Sequence, residues 1–569
     1  MSIDFQPTLE SIPPPHVVYR FKPLPNSVPV NQTPLNPVSF LLRAASIYPN
    51  KLALVHKDVK YPVAYTFAVW AQRIQNLAYA IIEAGIRPGD RVAVIAPNCP
   101  LIADAHFGVL AARAVITPIN IRLTKPEVDY ILEHSGANLV LVDHEFAHLT
   151  KGAKARVIVS NDTGRAGDPY EAFLASGRRF GQEKGWEGLE MELDENANAS
   201  LCYTSGTTGR PKGVISTFRG SYLGAVANVL ESRLNEESVY LWILPMFHAC
   251  GWTFPWANVL SYTTQVTLRT VSIDLIWNHF DNSGITHYCA APTVQIGIIN
   301  HPHSHPLGRP LTAVIAGSAP TAHLIGELEK LGIKPVHVYG LTETYGPFTR
   351  NYAKKEWMAL SHDGRSKLMA RQGHSFATAD DARVVIHQPD GSLKDVPEDG
   401  KTLGEIAVRG NIVMKEYFND PAATAKAFAG GYFSTGDLAV KFPDRTISIQ
   451  DRSKDIIISG GENASSLSIE QELANHSHVL EAAVVAKSHP KWGERPAAFI
   501  VLNREGQEEW SGQHKEFEEH LKKSLKGKLP GFAIPEWVYV VEDLPKTSTG
   551  KIQKNRLRQI VAENVKSKL

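Results

Sequence analysis

Apolar periodicity is the feature that most restricts how this chain can fold. Trp70, Ile74, Leu77 and Ile81 recur at the spacing of one helical face. The run stops at Gly85 and the turn Arg87-Pro88-Gly89-Asp90, and a short apolar stretch from Val92 to Ala96 follows. The first pattern predicts an amphipathic helix ended by glycine, the second a buried strand. The alternation returns around Leu139 to Val142 and Leu311 to Ala316. Strands alternating with helices predict an α/β body with largely parallel sheets. The first forty or so residues are rich in proline and read as an extended lead-in packed on a larger body.

A chain of 569 residues is long enough for two or more packed units. From about Gly404, short strand-like runs (GEIAVRG, then TISIQD) predict a β-rich subdomain. The charged run Asp451-Arg452-Ser453-Lys454 then separates two such runs. A boundary there divides the chain into residues 1–452, with two α/β subdomains and the β-rich one, and residues 453–569, a small α+β lid. Within the lid, Ala482–Val485 and Ala497–Val501 read as strands, and Phe517, Leu521 and Leu525 mark one helix face.

Composition excludes several classes. With 59 basic and 58 acidic residues the formal charge is +1, so no basic excess points to nucleic acid. Cys99, Cys202, Cys250 and Cys289 are far apart and form no CxxC pair, which argues against a disulfide framework or a structural zinc site. The histidines of His301-Pro302-His303-Ser304-His305 read as loop surface rather than a metal site. No apolar run approaches the roughly 20 residues needed to cross a bilayer. The start, MSIDFQPTLESIPPPH, lacks the basic and apolar regions of a signal peptide. The end, Ser567-Lys568-Leu569, is the address read by the peroxisomal import receptor. Read so rather than as an ordinary charged helix tail, it predicts the peroxisome, and otherwise the cytoplasm.

The chemistry is carried by Tyr203-Thr204-Ser205-Gly206-Thr207-Thr208-Gly209-Arg210-Pro211-Lys212-Gly213. Glycines let backbone N–H groups approach an anion, hydroxyls add donors, and the lysine adds charge, so this loop can wrap the phosphates of a nucleotide. It lacks the GxxxxGK[ST] spacing of a P-loop, which counts against an ADP-forming ATPase or kinase. Further along stand Tyr339-Gly340-Leu341-Thr342-Glu343-Thr344 and Gly431-Tyr432-Phe433-Ser434-Thr435-Gly436-Asp437. Asp451-Arg452-Ser453-Lys454-Asp455, Ser459-Gly460-Gly461-Glu462-Asn463 and Pro545-Lys546-Thr547-Ser548-Thr549-Gly550-Lys551 follow in that order.

Together these motifs resemble the acyl-adenylate-forming superfamily, and most closely its acyl-CoA synthetase branch of plant- and fungal-type peroxisomal acyl-activating enzymes. The resemblance implies ATP, Mg2+ and coenzyme A as co-substrates and cofactor, and a lid that is mobile. ATP is expected at Thr204, Ser205, Gly206, Thr207, Thr208, Lys212, Gly317, Ser318, Ala319, Tyr339, Gly340, Thr342, Asp437, Arg452 and Lys551. Tyr339 would stack on adenine, while Asp437 and Arg452 would hold the ribose hydroxyls. Glu343 and Thr207 would serve the metal, and Thr342 the α-phosphate. Lys551 would reach the carboxylate and α-phosphate during adenylation only. Rotation about the hinge residue, Lys454, would then bring Gly460, Gly461 and Glu462 towards coenzyme A.

Pro245-Met246-Phe247-His248-Ala249-Cys250-Gly251-Trp252 resembles the histidine-aromatic segment of the acyl pocket, with His248 at its carboxylate end and Gly317 beside it. Trp252 and Trp256 beyond it favour short, branched, medium-chain or aryl acids over long fatty acids. Two other readings compete. One is adenylation with a different acceptor, such as a carrier thiol. The absence of a carrier domain after Lys551 favours free coenzyme A. The other is a non-catalytic nucleotide-binding relative, against which the pair Glu343 and Lys551 stands.

Overall fold

The computed structural model describes residues 3–181, 184–204, 210–317, 320–547 and 551–562, without the side chains of His362 and Asp363. Ser205, Gly206, Thr207 and Thr208 of the expected phosphate loop, Ser318 and Ala319, and the terminal Ser567-Lys568-Leu569 lie outside the described residues.

Among the described residues the strands assemble into four sheets. The first has nine strands. Its centre is parallel and runs through Leu52–His56, Thr264–Thr267, Val239–Trp242, His287–Ala290, Leu311–Ile315 and Ile333–Leu341. Both edges are antiparallel. The second, of seven strands, is parallel from Arg156–Ser160 through Leu139–Asp143, Arg91–Ile95 and Val115–Pro118 to Asn198–Tyr203. Gly213–Thr217 and Glu416–Tyr417 then extend it antiparallel.

The third sheet is antiparallel throughout and contains Arg383–His387, Gly404–Val408, Phe433–Lys441 and Ile447–Arg452. The fourth joins Ile457–Ser459, Glu462–Ala464, Val479–His489 and Gly493–Leu502, with Trp537–Val540 parallel to the last. The sheets are therefore mixed rather than largely parallel, because short hairpins add antiparallel strands at the edges of the crossover-built cores. The β-rich part also starts earlier than Gly404, at Arg383–His387, a run too short to stand out in the sequence.

The helix expected from Trp70 spans Phe67–Glu83, capped by the Thr66 hydroxyl accepting from the Val69 N–H at 3.3 Å. Its apolar face is buried as expected, but so are Gln72, Arg73, Gln75 and Asn76 on the opposite side. The helix is packed between Pro100–Ala111 and Pro169–Phe180. A Cβ at Gly177 would stand 1.9 Å from the Asn76 carbonyl oxygen, so glycine is required for this close approach. Burying Arg73 is tolerated because Asp104 and Glu171 pair with it at 2.9 and 2.7 Å.

Candidate active site

Three sheets converge on one cluster. In the third, Phe433–Lys441 pairs with Ile447–Arg452 so that Asp437 stands opposite Arg452. The Arg452 Nε lies 3.2 Å from one Asp437 oxygen, and the Tyr339 hydroxyl donates to the other at 2.7 Å. Tyr339 comes from the end of Ile333–Leu341 in the first sheet. Burial, reinforced by the Asp437 charge, raises the Tyr339 hydroxyl well above its usual pKa and keeps it a donor.

Glu343 follows on the tight turn Thr342–Thr344. The Thr344 hydroxyl accepts from the Leu341 N–H at 2.8 Å and donates to the Gly346 carbonyl at 2.7 Å. A Cβ at Gly340 would lie 1.8 Å from that same Gly346 oxygen, so the turn requires glycine there. The Glu343 carbonyl accepts from the Met414 N–H at 2.7 Å, and its carboxylate accepts from the Tyr417 hydroxyl at 2.9 Å. Burial pushes the Glu343 carboxyl up, and the Tyr417 hydrogen bond opposes this.

Tyr417 was missed by sequence reasoning. It occupies the edge strand Glu416–Tyr417 beside Gly213–Thr217, and the Lys212 Nζ sits 4.7 Å above its ring. Lys212 and the Glu343 turn are thus joined through one phenol. Its only sequence signal was an aromatic in an ordinary turn-rich stretch, KEYFND. At the loop's neck the Thr204 N–H donates to the Lys212 carbonyl at 2.9 Å.

Lys551 reaches this cluster from the far end of the chain. Its amine is pushed down to about 7, first by removal from water and then by the charges of Arg452 and Lys454, against which Asp437 and Asp455 act. Its backbone is fixed by the Thr547 N–H donating to the Lys551 carbonyl at 2.7 Å. His248 also lies within the field of Lys551. Loss of water, and then that charge, hold His248 down at about 4, so it is neutral.

Asn98 shapes the His248 segment by donating to the carbonyls of Trp242 and Leu244 at 3.0 Å and accepting from the Met246 N–H at 2.8 Å. Ala249, Cys250, Gly251, Trp252 and Thr253 then all have positive φ, from 44° to 63°. A left-handed turn of L-residues costs free energy, and the fold holds it by Asn228 donating to the Trp252 carbonyl at 2.7 Å and the Thr253 hydroxyl at 2.8 Å. Trp252 is buried against Gly346, directly behind the Glu343 turn. Gly317 follows Leu311–Ile315 with φ 95°.

Gly460, Gly461 and Glu462 form an exposed hairpin between Ile457–Ser459 and Glu462–Ala464. The Gly460 N–H donates to the Trp492 carbonyl at 2.8 Å, so this loop is anchored on its own sheet rather than in the cluster. Lys454 is exposed between the third and fourth sheets.

Glu343 offers a half-buried hard-oxygen ligand whose carboxyl is pushed up by loss of water, an effect that a cation beside it would oppose, which fits a divalent ion. Among the described residues no group of three or more His, Cys, Asp or Glu is placed to hold a metal. A single carboxylate suits Mg2+ that takes its other ligands from substrate phosphates and water. No described helix is long and apolar enough to cross a membrane.

The family profile "AMP-binding enzyme" matches residues 41–418, and "AMP-binding enzyme C-terminal domain" matches 468–551. An acetate/butyrate–CoA ligase of Arabidopsis thaliana, named as peroxisomal, is 39% identical, covering 93% of this chain and 95% of that protein. A peroxisomal benzoate–CoA ligase of the same plant is 36% identical, covering 93% and 94%. Among solved structures, o-succinylbenzoate CoA synthetase of Bacillus subtilis in complex with its acyl-adenylate intermediate is 25% identical, with a TM-score of 0.74, covering 91% of this chain and 97% of that one.

Proposed function

This chain belongs to the AMP-binding enzyme family, and from that premise we propose how its own residues carry out the family's two-step ligation. The protein is an ATP-dependent, AMP-forming acid–thiol ligase of the acyl-CoA synthetase type. A free carboxylate resists attack because an oxide would have to leave. Its oxygen therefore attacks the α-phosphorus of ATP, pyrophosphate departs, and an acyl-adenylate forms. The thiol of coenzyme A then attacks the acyl carbon, and AMP leaves.

Asp437 and Arg452 hold the ribose, and Tyr339 and Gly340, with Gly317, Ser318 and Ala319, hold adenine. Thr204, Ser205, Gly206, Thr207, Thr208 and Lys212 surround the phosphates. Mg2+, when bound, neutralises phosphate charge, with Glu343 and Thr207 as its protein ligands. Thr342 donates to the α-phosphate. Lys551 is the mobile cation of adenylation, stabilising charge that grows around phosphorus. Its position within the field of Arg452 and Asp437, with neutral His248 in turn within its own, is the single observation that carries this assignment.

The domain boundary is placed between 452 and 453, with Lys454 as hinge. Rotation about it takes Lys551 out and brings Gly460, Gly461 and Glu462 to coenzyme A. Neutral His248 lines the carboxylate end of the acyl pocket, and bulky Trp252 and Trp256 limit its depth. The substrate is a short, branched, medium-chain or aryl acid. Relatives named for acetate, butyrate and benzoate support that range. Several relatives are named as peroxisomal, and we assign this protein to the peroxisome, with Ser567-Lys568-Leu569 as the import address. A panel of acids supplied with ATP, Mg2+ and coenzyme A, read by thioester mass, tests the substrate range. Acetate to octanoate and benzoate should give product. Turnover only of acids with chains of sixteen or so carbons would overturn the pocket assignment.

A further inference from the structure

A network of polar contacts begins just beyond Lys551 in the chain. Lys554 begins the helix Lys554–Ala562. Its Nζ donates to the Ser466 hydroxyl at 2.6 Å and pairs with Glu470 at 2.7 Å. Ser466 in turn donates its N–H (2.5 Å) and its hydroxyl (2.8 Å) to one oxygen of Asp451. Ser466 and Asp451 are both buried. The neighbouring Ser465 hydroxyl donates to the Gln450 carbonyl. One turn along the same helix, Arg558 pairs with Asp455 and donates to the Lys454 carbonyl at 3.4 Å.

These partners belong to different sheets. Gln450 and Asp451 are in Ile447–Arg452 of the third sheet, whose other strands all precede them in the chain. Ser466 and Glu470 are on Ser466–Ala474, which packs against Val479–His489 of the fourth sheet. The link from Ser466 to Asp451 therefore spans the proposed hinge at Lys454. If the lid turns about that residue, Asp451 stays with the third sheet while Ser466 departs with the fourth, and the link must open. Charge-assisted hydrogen bonds shielded from water are strong enough to bias such an equilibrium.

We infer that Lys554 is a positioning residue for adenylation: through Ser466 and Asp451 it clasps the lid to the third sheet, fixes Lys551 beside Arg452, and must let go before thiolation. This inference rests on the roles proposed above for Lys551 and Lys454.

Lys554→Met and Ser466→Ala test it in the full-length enzyme, with Lys551→Ala in parallel. Ser466→Ala keeps Ser465 as the helix cap, so it remains informative if the unpaired Glu470 prevents Lys554→Met from folding. Both variants should lose pyrophosphate exchange by about tenfold, the effect of one lost charge-assisted hydrogen bond. Thioester formation from supplied acyl-adenylate should stay within about twofold of the parent, well below the effect of one charge-assisted hydrogen bond. Trypsin should also cut faster after Arg452 and Lys454 in the unliganded variants, a readout that does not depend on activity. Equal loss of both half-reactions, or unchanged exchange with unchanged cleavage, would overturn the clasp. If Lys551→Ala itself spares exchange, the role of Lys551 fails instead, and the cleavage rates still decide whether the clasp exists.

Discussion

The site holds the Lys551 amine close to neutral pH. An amine held at about 7 is charged below that pH and neutral above it, whereas an unfolded lysine stays charged to about 10.4. With Lys551 as the proposed cation of adenylation, kcat/KM for ATP in pyrophosphate exchange should fall as pH rises through about 7, because this ratio reports the free enzyme. Lys551→Arg, whose guanidinium does not titrate in this range, should abolish that basic limb while retaining some exchange. A limb that persists in the arginine variant would assign it to another group. In Lys551→Ala the expected loss of exchange is about a hundredfold, the scale of one lost transition-state contact to charge. Tyr417 shows what a single residue can hide. A lone tyrosine carries no motif, and its value arises only where a strand edge sets it between Lys212 and Glu343.

At the scale of elements, the sequence was most legible where a pattern has one physical cause. Glycine spacing, the buried runs at 91–95, 139–143 and 311–315, and the amphipathic helix His514–Leu525 all follow from local rules. Other features depend on neighbours that no local rule contains. The second buried face of Phe67–Glu83 depends on Asp104 and Glu171, and the left-handed turn at 249–253 depends on Asn228. The motifs carrying the candidate site were readable as motifs, and their convergence on Asp437 and Arg452 required the sheets. The left-handed turn sets Trp252 behind the Glu343 turn, where the proposed acyl pocket gives it a part in specificity. Trp252→Gly should shift preference towards longer acids, with each extra buried methylene contributing about 0.8 kcal/mol to the specificity ratio. Chain-length competition assays measure this, and an unchanged profile would make Trp252 core packing alone.

Across the whole molecule, the account depends on one site serving two half-reactions in turn. The proposed hinge at Lys454 lies between the pair Asp437 and Arg452 and the proposed lid, where a change in very few dihedral angles can reorient a domain. Proline fixes φ near −65° and restricts the preceding residue, so Lys454→Pro should retain pyrophosphate exchange and lose thioester formation. Supplied acyl-adenylate should not rescue it, in contrast to Lys551→Ala. Retention of both activities would move the hinge elsewhere.

The most direct measurement of the central claim is the product balance of the wild-type enzyme. With ATP, Mg2+, coenzyme A and an acid it turns over, the enzyme should yield AMP, pyrophosphate and thioester in equal amounts, and acyl-adenylate should be recoverable when coenzyme A is withheld. ADP and inorganic phosphate in place of AMP and pyrophosphate, or thioester made without a recoverable adenylate, would contradict it.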